Sequence, residues 1–310
     1  MYKRVVILFL VLICNIANAQ ELYTINCRVI DEITKMPISN VYVAINNTSR
    51  GTSTSQQGEF HFEITKKELG NNLYIACAGY VDTLIPCRRI IKNHTDEIVL
   101  RPIQFDLEQV DVVANFDKEV VFGDTAFIFS EKSTAIPKPY YMEYSTSIGC
   151  LFINKTYGIL DRIIINLLND GYHGGKFAIR LKKISPRKHY LIGWKMLNRY
   201  EDIIKKPIII EAESPGVIDI DLSSFMAFVP ERNHILLLIY PLENMEGYTS
   251  GYSGMYMVTS RVAGNTNAAL YPYPTIRPGE METVFLMNNE CIVSKYITPP
   301  QIALIMKTYE

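Results

Sequence analysis

The chain has 310 residues, with 31 basic and 32 acidic side chains, a formal net charge of −1 and an apolar share of 48%. That length suits roughly two domains of about 150 residues each. The charges are interspersed, with no basic stripe or like-charge block, so nucleic acid and anionic membrane surfaces are excluded as electrostatic partners.

The first predicted element is a signal peptide over residues 1–19. Lys3 and Arg4 form a positive leader, Val5 to Ile13 is a short apolar run, and Ala17-Asn18-Ala19 offers the small residues at which cleavage is expected. Cys14 follows Ile13, which is large and branched where a lipoprotein signal needs a small residue, so a soluble exported chain is expected. Removal of Lys3 and Arg4 leaves 29 basic against 32 acidic residues. No later segment reaches ~18 uninterrupted apolar residues, and no transmembrane segment is expected after cleavage.

From Leu22 the residues alternate with the period of β-strands. Ile25, Cys27 and Val29 share one face against Asn26 and Arg28; Val41, Val43 and Ile45 alternate with Tyr42 and Ala44; Phe60, Phe62 and Ile64 repeat the pattern. Between the last two runs lies "NTSRGTSTSQQGEF", where Gly51 and Gly58 permit tight-turn geometry and the Ser and Thr side chains can cap turn backbone. Further strands are predicted at "LYIACAGY", "DTLIPC", "DEIVLRPI" and "LEQVDVVA".

The order Ile25–Asp31, Pro37-Ile38, Val41–Ile45, Gly51-Thr52, Thr54, Gly58, Phe60, Gly79-Tyr80 and Leu107–Val113 resembles the carboxypeptidase regulatory-like domain. That family is a transthyretin-like seven-stranded β-sandwich of bacterial envelope proteins, and the resemblance covers roughly residues 22–113. It implies a non-catalytic accessory module and a place in the periplasm or at the outer membrane of a Gram-negative bacterium. Cys27 stands where the family pattern usually has Gly, and Ser55 where it usually has Asp, so no polar role of that Asp carries over. The domain division expected is thus a module over 20–113, a linker with short strands over 114–139, and a second domain over 140–310.

In the second domain, runs such as "SIGCLFIN", "DRIIINLLN", "KFAIRLKKI", "GVIDIDLS", "HILLLIYPL" and "QIALIMK" are separated by Gly, Pro and Asn, with no sustained helical period. An all-β architecture follows: a transthyretin-like sandwich and then a larger jelly-roll-like one. The runs "KFAIRLKKI" and "KKPIIIEAESPGVIDIDLSSFMAFVPERNHILLLIY" resemble an uncharacterised jelly-roll-like domain that often follows the regulatory module, a resemblance that covers roughly residues 145–245 and brings no functional residue. An outer-membrane barrel fits poorly, because "RIIINLL" and "HILLLIY" are apolar on both faces where barrel strands alternate.

The search for chemistry yields no catalytic residue, no metal site and no cofactor. His94 and Glu97 spell HxxE but lie in a polar turn without a third ligand. Asp219 and Asp221 share one strand face, whereas glycosidase carboxylates oppose each other across a sugar. Cys27, Cys77, Cys87, Cys150 and Cys291 form no CxxC; Cys77 and Cys87 are the nearest disulfide candidates, and burial as small thiols is the preferred reading. Thr83 and Thr125 follow aspartates in an Asp-Thr-aliphatic pattern used for O-glycosylation. Tyr248, Tyr252, Tyr256, Tyr271 and Tyr273 crowd a glycine-rich stretch and are the candidate ligand-binding residues, the alternative being that they close one end of the sandwich. The expected function is binding of a glycan or an envelope protein; a hydrolase with its site in the second sandwich, or a structural docking component of an outer-membrane assembly, is the alternative. With cysteines scattered and histidines outside ligand frames, chelation by EDTA should leave the melting temperature unchanged; a drop of several degrees, reversed by zinc, would show a metal-dependent fold.

Overall fold

The computed structural model describes residues 21–103 apart from 47 and 49, together with 118–123, 140–141, 146–167, 175–185, 200–212, 216–242, 256–257, 281–287, 290–294 and 302–308. Within these the chain is mostly strands, with one short α-helix, and the strands form four sheets that stack as two β-sandwiches. The all-β architecture expected from the alternation is what the chain adopts.

The first sandwich faces a three-stranded sheet onto a four-stranded one. Strand β1 (Leu22–Asp31) pairs antiparallel with β4 (Glu59–Thr65), setting Ile25 opposite Phe62 and Cys27 opposite Phe60. On its other side β1 runs parallel to β7 (Glu97–Leu100), but only from Arg28 to Asp31. The facing sheet has the order β3 (Gly51–Ser53), β2 (Tyr42–Ile45), β5 (Asn72–Ala76), β6 (Thr83–Pro86). Ile25, Val29, Val43, Phe62, Ile75 and Leu100 meet between them in a closed core.

The loop between β2 and β4 is held by its hydroxyls. Thr54 Oγ1 donates to the Ile38 carbonyl at 2.7 Å and accepts from the Val41 amide at 3.0 Å, while Ser55 Oγ accepts from the amides of Gln57 and Glu59. Gly58 closes the turn at φ +75°, where an added Cβ would stand 2.7 Å from the Val29 carbonyl oxygen. The stretch expected to be turn alone also contributes the short strand β3. A second departure follows Pro86: residues Cys87–Asn93 form a short α-helix that buries Cys87 and Ile90, in an otherwise stranded module.

The second sandwich has two seven-stranded sheets. One contains β10 (Thr146–Phe152), β12 (Gly175–Ile184), β13 (Glu201–Asp202), β14 (Ile208–Ala212), β17 (His234–Pro241), β19 (Met281–Met287) and β20 (Glu290–Ser294). The other centres on β11 (Gly158–Leu167) and β21 (Ile302–Thr308), with β8 (Lys118–Gly123) on the far edge of β21. Strand β8 lies within the stretch expected to link the domains, and its ladder joins it to the second sandwich. The strand expected over Leu107–Val113 lies outside the described residues.

Strand β17 is buried at every position, and its two faces enter different cores. Ile235, Leu237 and Ile239 point into the second sandwich, whereas Leu236, Leu238 and Tyr240 meet Tyr42, Ala44, Tyr74 and Ala76 of the first. Tyr42 and Tyr240 pack with ring centroids 5.0 Å apart. The apolar run "HILLLIY" is therefore the signature of an inner layer covered on both sides.

The first sandwich owns a complete core, so residues 20–114 expressed alone should melt cooperatively. Their melting temperature should fall below that of the intact chain, because Tyr42 and Tyr74 lose their cover. A calorimetric scan with no cooperative transition would show that the second sandwich is required for folding.

Candidate functional site

Two constellations of polar side chains stand out: a buried one between the sandwiches, and an exposed one on the opposite side of the first. The buried one begins on β12, where alternation sends Phe177, Ile179 and Leu181 into the second core and Ala178, Arg180 and Lys182 toward the first sandwich. Arg180 and Lys182 are among the most completely buried side chains of the molecule. An isolated buried cation costs several kcal/mol, so each must be matched.

The match comes from both domains. Arg180 forms a two-pronged pair with Asp202 of β13, Nε to Oδ1 at 2.8 Å and Nη2 to Oδ2 at 3.0 Å. Its Nη1 pairs with Asp82 of the first sandwich, and Nη2 also donates to the Tyr80 carbonyl at 3.0 Å. Lys182 Nζ lies 2.9 Å from Asp202 and donates to the Tyr200 carbonyl at 3.2 Å. Tyr74 donates its hydroxyl to Asp82 at 3.0 Å. Two cations and two carboxylates thus sum to zero charge in a buried layer.

The turn that brings Asp82 into place is "CAGYVD". Gly79 adopts φ +84°, and an added Cβ would lie 2.3 Å from the Lys205 carbonyl oxygen, so only glycine lets the two backbones approach. Its amide donates to Asp202 Oδ2 at 3.1 Å, and the Tyr80 hydroxyl donates to Asp31 at 2.8 Å. Burial alone would raise the Asp202 carboxyl, but Arg180 and Lys182 outweigh it and hold it below the ordinary aspartate range. Burial, reinforced by neighbouring Arg180, lowers Lys182. For Arg180 burial opposes the charge, yet Asp82 and Asp202 together push its proton affinity further up. Fully enclosed and self-matched, this cluster is a junction between domains.

The exposed constellation lies on the outer face of the β4–β1–β7 sheet. Register sets Asn26 beside His61, and Arg28 between Glu59 and Glu97. Arg28 pairs with Glu59 at 2.6 Å, and His61 Nδ1 sits 2.5 Å from Asn26 Oδ1. A shallow groove of about 530 Å³ crosses this face, with Ser55, Glu59, His61, Asp96 and Glu97 among its walls. It is open, with more acid than base along its walls.

Of the residues singled out in the sequence, Asp219 makes a 3.0 Å pair with Arg162, and Asp221 accepts the Ser223 amide at 2.8 Å, so that carboxylate pair serves a strand edge and a turn. His94 ends the short helix in the left-handed region, at φ +46°. Thr83 donates to the Val81 carbonyl at 3.1 Å, next to an Asp82 committed to Arg180. Tyr248, Tyr252, Tyr271, Tyr273 and Thr125 lie outside the described residues, and of Tyr256 only the backbone, in β18 (Tyr256–Met257), is described. Cys27, Cys77, Cys87 and Cys150 are buried free thiols; burial pushes Cys27 and Cys87 up to about 11 and Cys77 up to about 12, and raises Cys150 as well. Thiols so protonated are poor nucleophiles. Among the described residues no three His, Cys, Asp or Glu side chains converge on a possible metal position, and no helix is long and apolar enough to cross a membrane.

The junction was missed in the sequence, although "KFAIRLKKI" carries a signal. Arg180 and Lys182 occupy one face of a strand whose other face carries Phe177, Ile179 and Leu181, and such cations must either face solvent or find buried partners.

No family model matches the chain, and no curated protein is similar to it. Among solved structures, the cysteine protease and lectin-like domains of Cwp84, a surface layer associated protein of Clostridium difficile, align at 13% identity and a TM-score of 0.37, over 57% of this chain and 37% of that one. The clostridial Cwp84 protease after propeptide cleavage aligns at 15% identity and a TM-score of 0.36, over 56% and 40%. This chain spans well under half the length of either protein.

Replacing Arg180 with Met leaves two buried carboxylates, Asp82 and Asp202, facing Lys182 as the remaining cation of the cluster, an expected loss of about 3–5 kcal/mol. For a chain of this size that is a melting temperature lower by roughly 10 °C. Because the folded-state value of Asp202 lies below its ordinary 3.8, its contribution is complete above that pH and is lost as pH falls through the lower folded value. The stability gap between wild type and Asp202→Asn should therefore narrow on acidification below 3.8, as followed by melting curves across pH. A gap independent of pH would remove Asp202 from the junction.

Proposed function

We propose that this protein is exported to the envelope of a Gram-negative bacterium and acts by binding. In this reading the first sandwich is a carboxypeptidase regulatory-like module that presents its outer sheet face to a glycan or protein partner. The observation that carries the reading is the division of labour between its two sheets. The four-stranded sheet is consumed by the second sandwich, through Tyr42, Tyr74 and the Arg180 junction. The three-stranded sheet keeps its outer face open, with Asn26, Arg28, Glu59, His61 and Glu97 around a groove of about 530 Å³. A rigidly anchored scaffold with polar side chains in fixed register is suited to recognition, since little conformational freedom is lost on binding. The described cysteines, kept protonated by burial, suit packing better than covalent catalysis.

The test is an array of glycans and of synthetic peptides probed with the mature chain, alongside a double variant, Arg28→Ala with His61→Ala. Both side chains project from the sheet, so the melting temperature of the variant should stay within about 2 °C, as expected for exposed substitutions. Selective retention by wild type and at least a tenfold loss in the variant would support the reading. Retention of nothing by wild type, or identical profiles for the two proteins, would sink it.

A further inference from the structure

The first sandwich contains an unfinished β-ladder. Strand β1 has ten residues, and from Leu22 to Arg28 its β4 side is fully paired. Its opposite side is paired with β7 only from Arg28 onward. The Arg28 amide donates to the Asp96 carbonyl, whereas the Val29 amide donates to Gly58 on the β4 side. Successive residues of a strand send their amide and carbonyl to opposite sides. Hence Tyr23, Ile25 and Cys27 bond β4, while Leu22, Thr24 and Asn26 aim their backbone groups at the open side, where no strand lies among the described residues.

The cause is the short helix after Pro86. A strand continuing β7 backward would have completed the ladder, but the chain reaches Glu97 from the helix Cys87–Asn93 through the left-handed turn at His94. The helix puts Ile90 into the core beside β1. Its Cys87 amide donates to the Asn71 carbonyl at 3.0 Å and its last turn accepts from Thr95, so it leaves the edge of β1 unanswered. Between them lies a cleft of about 400 Å³ with Tyr23, Thr24, Asn26, Ile90, Ile91 and His94 among its walls. Beside it, Cys27 Sγ donates to the carbonyl of Thr95, another of the wall residues, at 3.0 Å.

We propose that this cleft takes an extended peptide segment of a partner protein, which adds as a strand to the open edge of β1. The proposal rests on the reading of the first sandwich as a binding module and names its ligand class. Three features commit it to a peptide. The exposed groups of Leu22, Thr24 and Asn26 repeat at two-residue spacing, about 6.6 Å, which matches another strand. A strand pairing at about 4.8 Å would turn alternate side chains toward Ile90 and Ile91, favouring apolar residues there. At the end where the cleft meets the sheet face, Glu59, Asp96 and Glu97 stand with Arg28, which is already tied to Glu59. That surplus of carboxylates favours lysine or arginine at the corresponding end of the peptide. The open β1 of a second copy fits less well, because it carries β4 on one side and the helix Cys87–Asn93 on the other, which would have to enter the cleft with it.

The test uses the full mature chain and a library of capped octapeptides built from Val, Ile, Thr, Lys and Arg. In the free protein the Thr24 and Asn26 amides should exchange hydrogen rapidly, while those of Ile25 and Cys27 exchange slowly. A binder should slow Thr24 and Asn26 at least tenfold and leave Ile25 and Cys27 unchanged. N-methylation of alternate peptide residues should weaken binding at least tenfold without any change in the protein. Asn26→Pro should abolish binding with its melting temperature preserved, since that amide faces away from β4; if this variant fails to fold, the exchange data and the methylated peptides still decide. Absence of any binder overturns the proposal, as does binding that leaves Thr24 and Asn26 unprotected. Slow exchange of both amides in the peptide-free monomer would assign the edge to the chain itself, and slow exchange accompanied by a concentration-dependent dimer would assign it to a second copy; either result overturns the proposal. Glycan retention with no peptide binder would reject the peptide alone and leave the wider binding role standing.

Discussion

The guanidinium of Arg180 is the point on which the relation between the two sandwiches depends. It is buried in the layer between them, bonded to Asp202 in its own domain and to Asp82 in the other. Desolvating such a group is so unfavourable that it cannot be left with only one of its partners in reach. Apolar contact between Tyr42, Tyr74, Leu236 and Tyr240 favours the approach of the sheets but tolerates sliding. The charge network does not, because each bond has a short range and a direction. Buried pairs of this kind contribute little net stability compared with apolar replacements; what they add here is a single docking position, enforced by Gly79 against Lys205.

That docking position decides which surfaces are left. Once the four-stranded sheet of the first domain is covered, its outward-facing residues become core, and β2 is buried at all four positions. The same event buries the outer face of β12 and β17. What stays open is the far sheet, whose outer face alternates as sheets with one wet side do, with Thr24, Asn26 and Arg28 outward against Ile25, Cys27 and Val29 inward. The molecule is thus polar in its layering: one end is anchored, and the other offers side chains, a groove and a length of unpaired strand edge.

Edges of sheets are usually blunted by charge, by proline or by a covering element, because exposed backbone invites pairing with other chains. On β1 the covering element is a helix, which shields the apolar side chains beneath it without answering the backbone of Thr24 and Asn26. An edge sheltered in this way leaves room for a single slender strand rather than for broad edge-to-edge contact.

Strand character and inward faces were legible from alternation, because the two-residue period is a local property of extended chain. The all-apolar runs announced strands covered on both sides for the same reason. The helix Cys87–Asn93 was not legible: seven residues after a proline carry too short a pattern to distinguish it from strand, and its placement depends on Ile90 finding the core. Nor was the junction. Arg180 and Asp82 are 98 residues apart, and nothing local to either tells a solvated charge from a buried one. The alternation of "KFAIRLKKI" determined that Arg180 and Lys182 share a face; whether that face meets water or Asp82 was decided only when the sheets stacked, because the free energy of a charge is set by whatever stands within a few ångströms of it.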